Sequence, residues 1–305
     1  MGAQLSRFGC GPRGPDRGDE ALHNWPFADR PDVAPETCLA EVGRIFAVFD
    51  AHTQDSGNVS YGVEAAGRRW FVKTAGDPAA SAFLPHAARV ALLENAARVS
   101  RSFAHPALPT LRGIARSAWG PMLVRDWAPG ELVGAPAERR SDPVSAFQRF
   151  RALPPPELAA AIGVVLEVHV GLCAQGWVAG DFYDGAMIYD FAARRLSLID
   201  LDSYHAGPFV NDMGRMFGSE RFMAPEEFER GAVIDERTTV FTLGRTMSVM
   251  LGDGALGRAA FRGAGAQYAA MLAACRPDPA ARLQTVAELA RAWAGLGAAR
   301  TVERS

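Results

Sequence analysis

The chain has 305 residues, 49% of them apolar, and a net charge of −2. That suits one large or two-lobed domain with a well-buried core, and it excludes the strongly basic footprint expected of a nucleic-acid reader. Its four cysteines, Cys10, Cys38, Cys173 and Cys275, lack C-x-x-C spacing, which argues against a zinc site or a disulfide framework and for a reducing compartment.

Residues 1–32 are rich in Gly, Pro, Arg and Asp; they bury too little apolar surface to offset chain entropy and read as a mobile arm. The opening Met1-Gly2-Ala3-Gln4-Leu5-Ser6 fits an N-myristoylation pattern, with Cys10 as a second acylation position. The enzyme that reads this pattern is eukaryotic, whereas the Ala-, Arg- and Gly-heavy composition suits a GC-rich bacterial genome. Membrane contact is therefore expected only if Gly2 is myristoylated. No apolar run reaches the ~18 residues of a spanning helix, and the first residues lack a secretory h-region. A soluble, cytoplasmic protein is expected, with one domain over 33–298 and a tail at 299–305.

Helix-like spacing of Leu39, Val42, Ile45 and Phe46 predicts a helix over 35–49 leading into the first strand. Val59–Val63 and Arg69–Lys73 read as a β-hairpin around Ala66-Gly67. A long helix is predicted over 83–103, closed by His105-Pro106, followed by strand-like alternation over 111–127. Pro129-Gly130 marks the crossing into a helix-dominated half, with helices over 158–174, 238–251, 258–275 and 286–296, and short strands and a loop over 178–201. The expected fold class is α+β: a small antiparallel sheet in an N-terminal part (33–126) and a larger helical part (129–298).

Six segments carry chemistry, in a fixed order. Lys73 ends the strand Trp70-Phe71-Val72-Lys73, and Glu94 is the only acid of the helix that follows. Next come Gly180-Asp181-Phe182-Tyr183-Asp184-Gly185-Ala186, then Ile199-Asp200-Leu201-Asp202 after an apolar strand. Gly218-Ser219-Glu220-Arg221-Phe222-Met223-Ala224-Pro225-Glu226 and, late in the chain, Asp278-Pro279-Ala280-Ala281-Arg282 complete the set. In this order they resemble the eukaryotic-type Ser/Thr protein kinases over nearly all of Arg44 to Trp293, as a divergent, bacterial-looking member.

The resemblance implies a two-lobed protein-kinase-like fold and transfer of a phosphoryl group from ATP with Mg²⁺ (or Mn²⁺) to a Ser or Thr hydroxyl of a protein substrate. It assigns Lys73 and Glu94 to the phosphate-gripping pair, Asp181 to orienting the acceptor, Asp200 to magnesium and Ser219 to substrate placement. Gly57 and Val59 would cover the nucleotide, and the hinge residues Asp126 and Ala128 would meet its base. Glu226 and Arg282 would form a buried ion pair.

The departures are equally specific. Gln54-Asp55-Ser56-Gly57-Asn58-Val59 keeps one loop glycine, which fits a simple turn as well. The loop before Asp181 lacks His and Arg, Tyr183 replaces a Lys, and Ala186 replaces the metal-binding Asn. Asp184 is expected either to supply the missing ligand or to sit in a turn with Gly185. Thr239 replaces an Asp. Two alternatives follow: a pseudokinase that binds ATP as a regulatory module, and, from Asp202, a small-molecule phosphotransferase of the aminoglycoside or choline kinase type.

Overall fold

The computed structural model describes residues 26–50 and 57–295. The expectations for Gly2, Cys10, Gln54 to Ser56 and the tail at 299–305 lie outside the described residues. The protein is mixed α+β with antiparallel sheets, its longer strands in the first half and most of its helices in the second.

Helix α1 (Pro35–Val42) ends at Gly43, and β1 (Arg44–Phe49) follows directly. The helix expected over 35–49 is therefore half strand. Gly43 interrupts the helical run, and the β-branched and aromatic residues of Arg-Ile-Phe-Ala-Val-Phe suit a pleated surface. Strands β2 (Val59–Ala65) and β3 (Arg68–Thr74) form the expected hairpin. Its turn residues Ala66 and Gly67 both have positive φ, 50° and 71°, the backbone a tight two-residue hairpin requires. Helix α2 (His86–Ser102) precedes β4 (Leu111–Ser117) and β5 (Gly120–Asp126), and the sheet order is β1-β2-β3-β5-β4.

Directly paired residues share a face, so the register Ser60↔Lys73↔Leu123 separates this row from Tyr61↔Val72↔Val124. The second row, with Trp70, buries against Leu39 of α1 and Phe27. Phe27 packs edge-on against Trp70 at 5.7 Å, and the Arg30 N–H donates to the Arg116 carbonyl at 2.7 Å. Residues 26–32, expected to belong to the arm, are thus anchored to the sheet by the Phe27 ring and by hydrogen bonds of Asp29 and Arg30 with Arg116. On the other face, Leu123 and Ala75 pack against Leu93, Ala96 and Ala97 of α2.

In the second half, short strands β6 (Glu131–Leu132), β7 (Trp177–Val178), β8 (Met187–Asp190) and β9 (Arg195–Leu198) flank a helical core. This core is built on α3 (Ala146–Arg151), α4 (Pro155–Ala174), α5 (Glu236–Leu251), α6 (Gly265–Ala274) and α7 (Val286–Trp293). The helix expected over 258–275 is confined to α6; Arg258 instead donates to the carbonyls of Phe261 and Gly263, which holds the preceding segment in turns. Contrary to the expectation that no segment is long enough, α4 has the length and apolar composition of a membrane-crossing helix. Its buried residues, among them Leu158, Ile162, Val165, His169 and Leu172, belong to the core, and α5 and α7 pack against it.

Candidate active site

Lys73 is buried on β3, and its Nζ lies 2.6 Å from Asp200 Oδ1 and 2.5 Å from Asp202 Oδ2. Burial alone would lower the Lys73 pKa, but the two carboxylates outweigh it and raise it above its ordinary value. Lys73 chiefly holds Asp200 below the usual carboxylate range, while burial pushes Asp202 above it. The ammonium thus ties the sheet to the segment that follows β9.

Glu94 is not part of this arrangement: it is exposed. The buried stripe of α2 runs through Arg89, Leu93, Ala96 and Ala97, and Glu94 sits one residue, about 100° of helix rotation, beyond Leu93. Its neighbour Asn95 makes the connection instead, donating from Nδ2 to the backbone carbonyls of Asp202 (2.7 Å) and Tyr204 (2.6 Å). The expected Lys–Glu pair is replaced by Lys73–Asp202. Asp202 was singled out only as pointing to a small-molecule phosphotransferase, and Asn95 was missed because the acid of α2 was chosen by identity; the helical period singles out Leu93 as the inward position.

Asp181 follows β7 with φ of 51°, and Asp200 has φ of 59°. Left-handed backbone is uncommon for residues other than glycine and concentrates where function sets the geometry. Burial first, and the Asp200 charge second, raise the Asp181 pKa to about 7, against the lowering effect of a hydrogen bond from the Ser219 backbone N–H. Ser219 therefore meets Asp181 through its main chain. Gly218 makes this approach feasible: at φ of 141°, an added Cβ would lie 3.4 Å from Asp181 Oδ1 and 3.3 Å from the Met223 side chain.

Asp184, expected as either a metal ligand or a turn residue, is buried and faces Arg221, whose Nη2 lies 2.5 Å from its Oδ2. That guanidinium occupies Oδ2 and gives the buried carboxylate a structural partner. Ala186 is buried too, so an Asn there would overpack the core. Among the described residues, no cluster of three or more His, Cys, Asp or Glu side chains is placed to hold a metal ion. Of the carboxylates Asp181, Asp184, Asp200 and Asp202, Asp200 is the exposed one, with a side chain 48% accessible. Asp184→Ala is expected to leave metal dependence unchanged and to cost about 1–3 kcal/mol by stripping an acceptor from a half-buried guanidinium. Melting curves and metal titrations check this; a lost metal response with unchanged melting would return Asp184 to the metal.

The nucleotide-side assignments divide by register. Val59 pairs with Thr74, on the face opposite Lys73, and packs with the α1-side core, so it does not cover the cleft. The Gly57 carbonyl accepts from Arg89 Nη1, which also holds the Ala75 carbonyl; Gly57 is fixed by α2. The Asp126 carboxylate is occupied by Arg112, at 2.7 to 3.0 Å, and by Arg68 at 3.2 Å. Ala128 follows Trp127, whose ring joins Phe46 (4.9 Å), Phe49 (6.5 Å) and Phe71 (6.5 Å). Gly62 lies beneath them, an added Cβ reaching within 2.7 Å of Phe46 and 3.0 Å of Trp127. Phe71, two residues before Lys73, shares its face, so this aromatic cluster adjoins the Lys73 site.

Two structural supports hold the loops. Thr239 Oγ1 accepts the Ala179 backbone N–H at 3.0 Å, giving the loop before Asp181 a fixed anchor in α5. Behind it, the buried His169 has Nδ1 2.7 Å from the Val165 carbonyl and Nε2 2.6 Å from the Tyr204 hydroxyl. A carbonyl only accepts, so Nδ1 carries the proton and Nε2 accepts from tyrosine. Burial lowers the His169 pKa to about 4, consistent with a packed, neutral ring.

The expected pair Glu226–Arg282 is formed and buried, with contacts of 2.5 and 2.7 Å. No protein-family model matches this chain, and comparison with curated proteins finds no relative.

Proposed function

We propose that the chain is an ATP-dependent Ser/Thr protein kinase with a two-lobed, protein-kinase-like fold, its nucleotide lying between the five-stranded sheet and the helical half. One observation carries this reading: Lys73, Asp181, Asp200 and the Ser219 backbone, from four separate segments, converge on one site. Phosphoryl transfer needs charge neutralisation at the phosphates and a positioned acceptor hydroxyl. Lys73 supplies the first, Asp200 would hold Mg²⁺ as its protein carboxylate, and Asp181 would orient the hydroxyl and accept its proton. Bound Mg²⁺ would supply further charge neutralisation at the phosphates. Ser219 and the 218–226 segment, locked through Glu226, would place the protein substrate.

The pH dependence tests the role of Asp181. With its carboxyl raised to about 7, kcat/KM is expected to rise with pH through a limb near that value, because the base acts ionised. Stability should move oppositely. The folded state retains a proton that the unfolded chain releases above its ordinary value of 3.8, so this group's contribution falls as pH climbs from there to about 7. A pH-independent rate between 5 and 9, within roughly two pKa units of neutrality, would remove Asp181 from the reaction.

A second reading is favoured by the rings of Phe46, Phe49, Phe71 and Trp127 on the cleft face of the sheet. They supply a preformed aromatic platform beside a site that lacks the second metal ligand, as suits a nucleotide-binding regulatory module. Calorimetry with MgATP and a transfer assay on the same sample separate the two: saturable binding without turnover selects the module.

A further inference from the structure

Away from the Lys73 site, α3, α5 and the 218–226 segment enclose a cavity of roughly 430 Å³ lined by Arg140, Arg151, Arg221 and Arg245, with Phe147 and Asp253 among its walls. Each guanidinium is held by part of its donor set. Arg245 Nε donates to the Arg221 carbonyl at 2.9 Å, Arg140 Nε to the Ala135 carbonyl at 3.3 Å, and Arg151 Nη2 to the Gly252 carbonyl. Arg221 is held by Asp184 and lies over the rings of Phe147 (5.7 Å) and Phe222 (4.9 Å).

Like charges gathered this closely repel, and the local carboxylates do not balance them. Against the four lining guanidiniums and the nearby Arg262 stand Asp253 in the wall and Asp184 behind Arg221, which leaves the cavity net positive. Burial, then Arg262 and Arg221, lower the Arg151 pKa, with Asp253 opposing.

We propose that this cavity is a binding site for a phosphate dianion, either inorganic phosphate or a small phosphomonoester. Planar guanidinium forks match phosphate oxygens two at a time. The net positive charge of the cavity favours a dianion over a monocarboxylate. The volume is that of a small-molecule site, and Phe147 and Val249 give an organic ester an apolar wall. The inference is independent of the phosphoryl-transfer reading, because it concerns binding alone.

Isothermal titration of the full chain at low ionic strength tests it, with inorganic phosphate, phenyl phosphate and benzoate as probes. Saturable binding of at least one phosphate is expected, at least about tenfold tighter than benzoate and weakening as pH falls below the probe's second ionisation, about 6 for the ester and about one unit higher for inorganic phosphate. Arg245→Gln and Arg140→Gln should each weaken it about tenfold, while Lys73→Met leaves it unchanged. Tighter binding of phenyl phosphate than of free phosphate would identify an ester site, and the reverse an inorganic phosphate site. Absence of saturable binding, equal affinity for benzoate, or unchanged affinity in both folded arginine variants would overturn the proposal. So would loss of phosphate binding in Lys73→Met, which would place the anion in the cleft.

Discussion

Lys73→Met is expected to abolish phosphoryl transfer, by at least about 10²–10³-fold, while leaving a cooperatively melting protein. The ammonium is the positive charge in direct contact with Asp200 and Asp202, with the Arg125 guanidinium acting on both from farther away. Its loss removes charge neutralisation at the phosphates and leaves two carboxylates facing each other. Asp202, whose pKa burial already raises, can take up a proton, so the fold survives at reduced stability. Asp200→Asn should match the loss of rate with a smaller change in melting, because the Asp200 side chain is 48% exposed. Near wild-type rates in either variant would remove the pair from the reaction. Collapse of the fold in Asp200→Asn would make its role structural.

Arg282→Ala is expected to destabilise the helical half by about 3–5 kcal/mol, the cost of leaving a buried charge without its partner. Arg282 uses its whole fork: Nη1 and Nη2 meet the two Glu226 oxygens, and further bonds reach the carbonyls of Arg276, Arg237 and Pro277. Glu226 Oε1 also accepts from the Thr238 hydroxyl at 2.8 Å. Because the pair joins the end of the 218–226 segment to the last helices, its loss should also loosen Ser219 against Asp181 and lower the rate. Thermal melts decide the stability claim. An unchanged melting temperature would mean that the segment is held by its other contacts, such as the Glu227 carboxylate accepting the Ala224 N–H.

What could be read from the chain alone depended on how local the signal was. The β2–β3 hairpin was legible because Ala66-Gly67 and the β-branched alternation act within a dozen residues. Glu226 and Arg282 were legible as two halves of one motif, although 56 residues separate them. Side-chain direction was harder. Val59 was placed over the nucleotide by motif position, but cross-strand register against Thr74 turns it to the other face. Glu94 was chosen as the only acid in its helix, and helical phase excludes it. Asp184 was left between a metal ligand and a turn residue because nothing local reveals that Arg221, 37 residues later, would reach it. The arginine cavity had no motif at all; its residues come from four separate stretches and meet only through packing.

Transfer of label from γ-labelled ATP is the most direct measurement. It would use the full chain and a generic protein substrate, with Mg²⁺ and separately Mn²⁺, and Asp181→Asn and Asp200→Asn beside the wild type. Magnesium-dependent labelling by the wild type and its loss in both variants is the predicted result. Saturable ATP binding without labelling under either metal would contradict a working kinase and select the regulatory module.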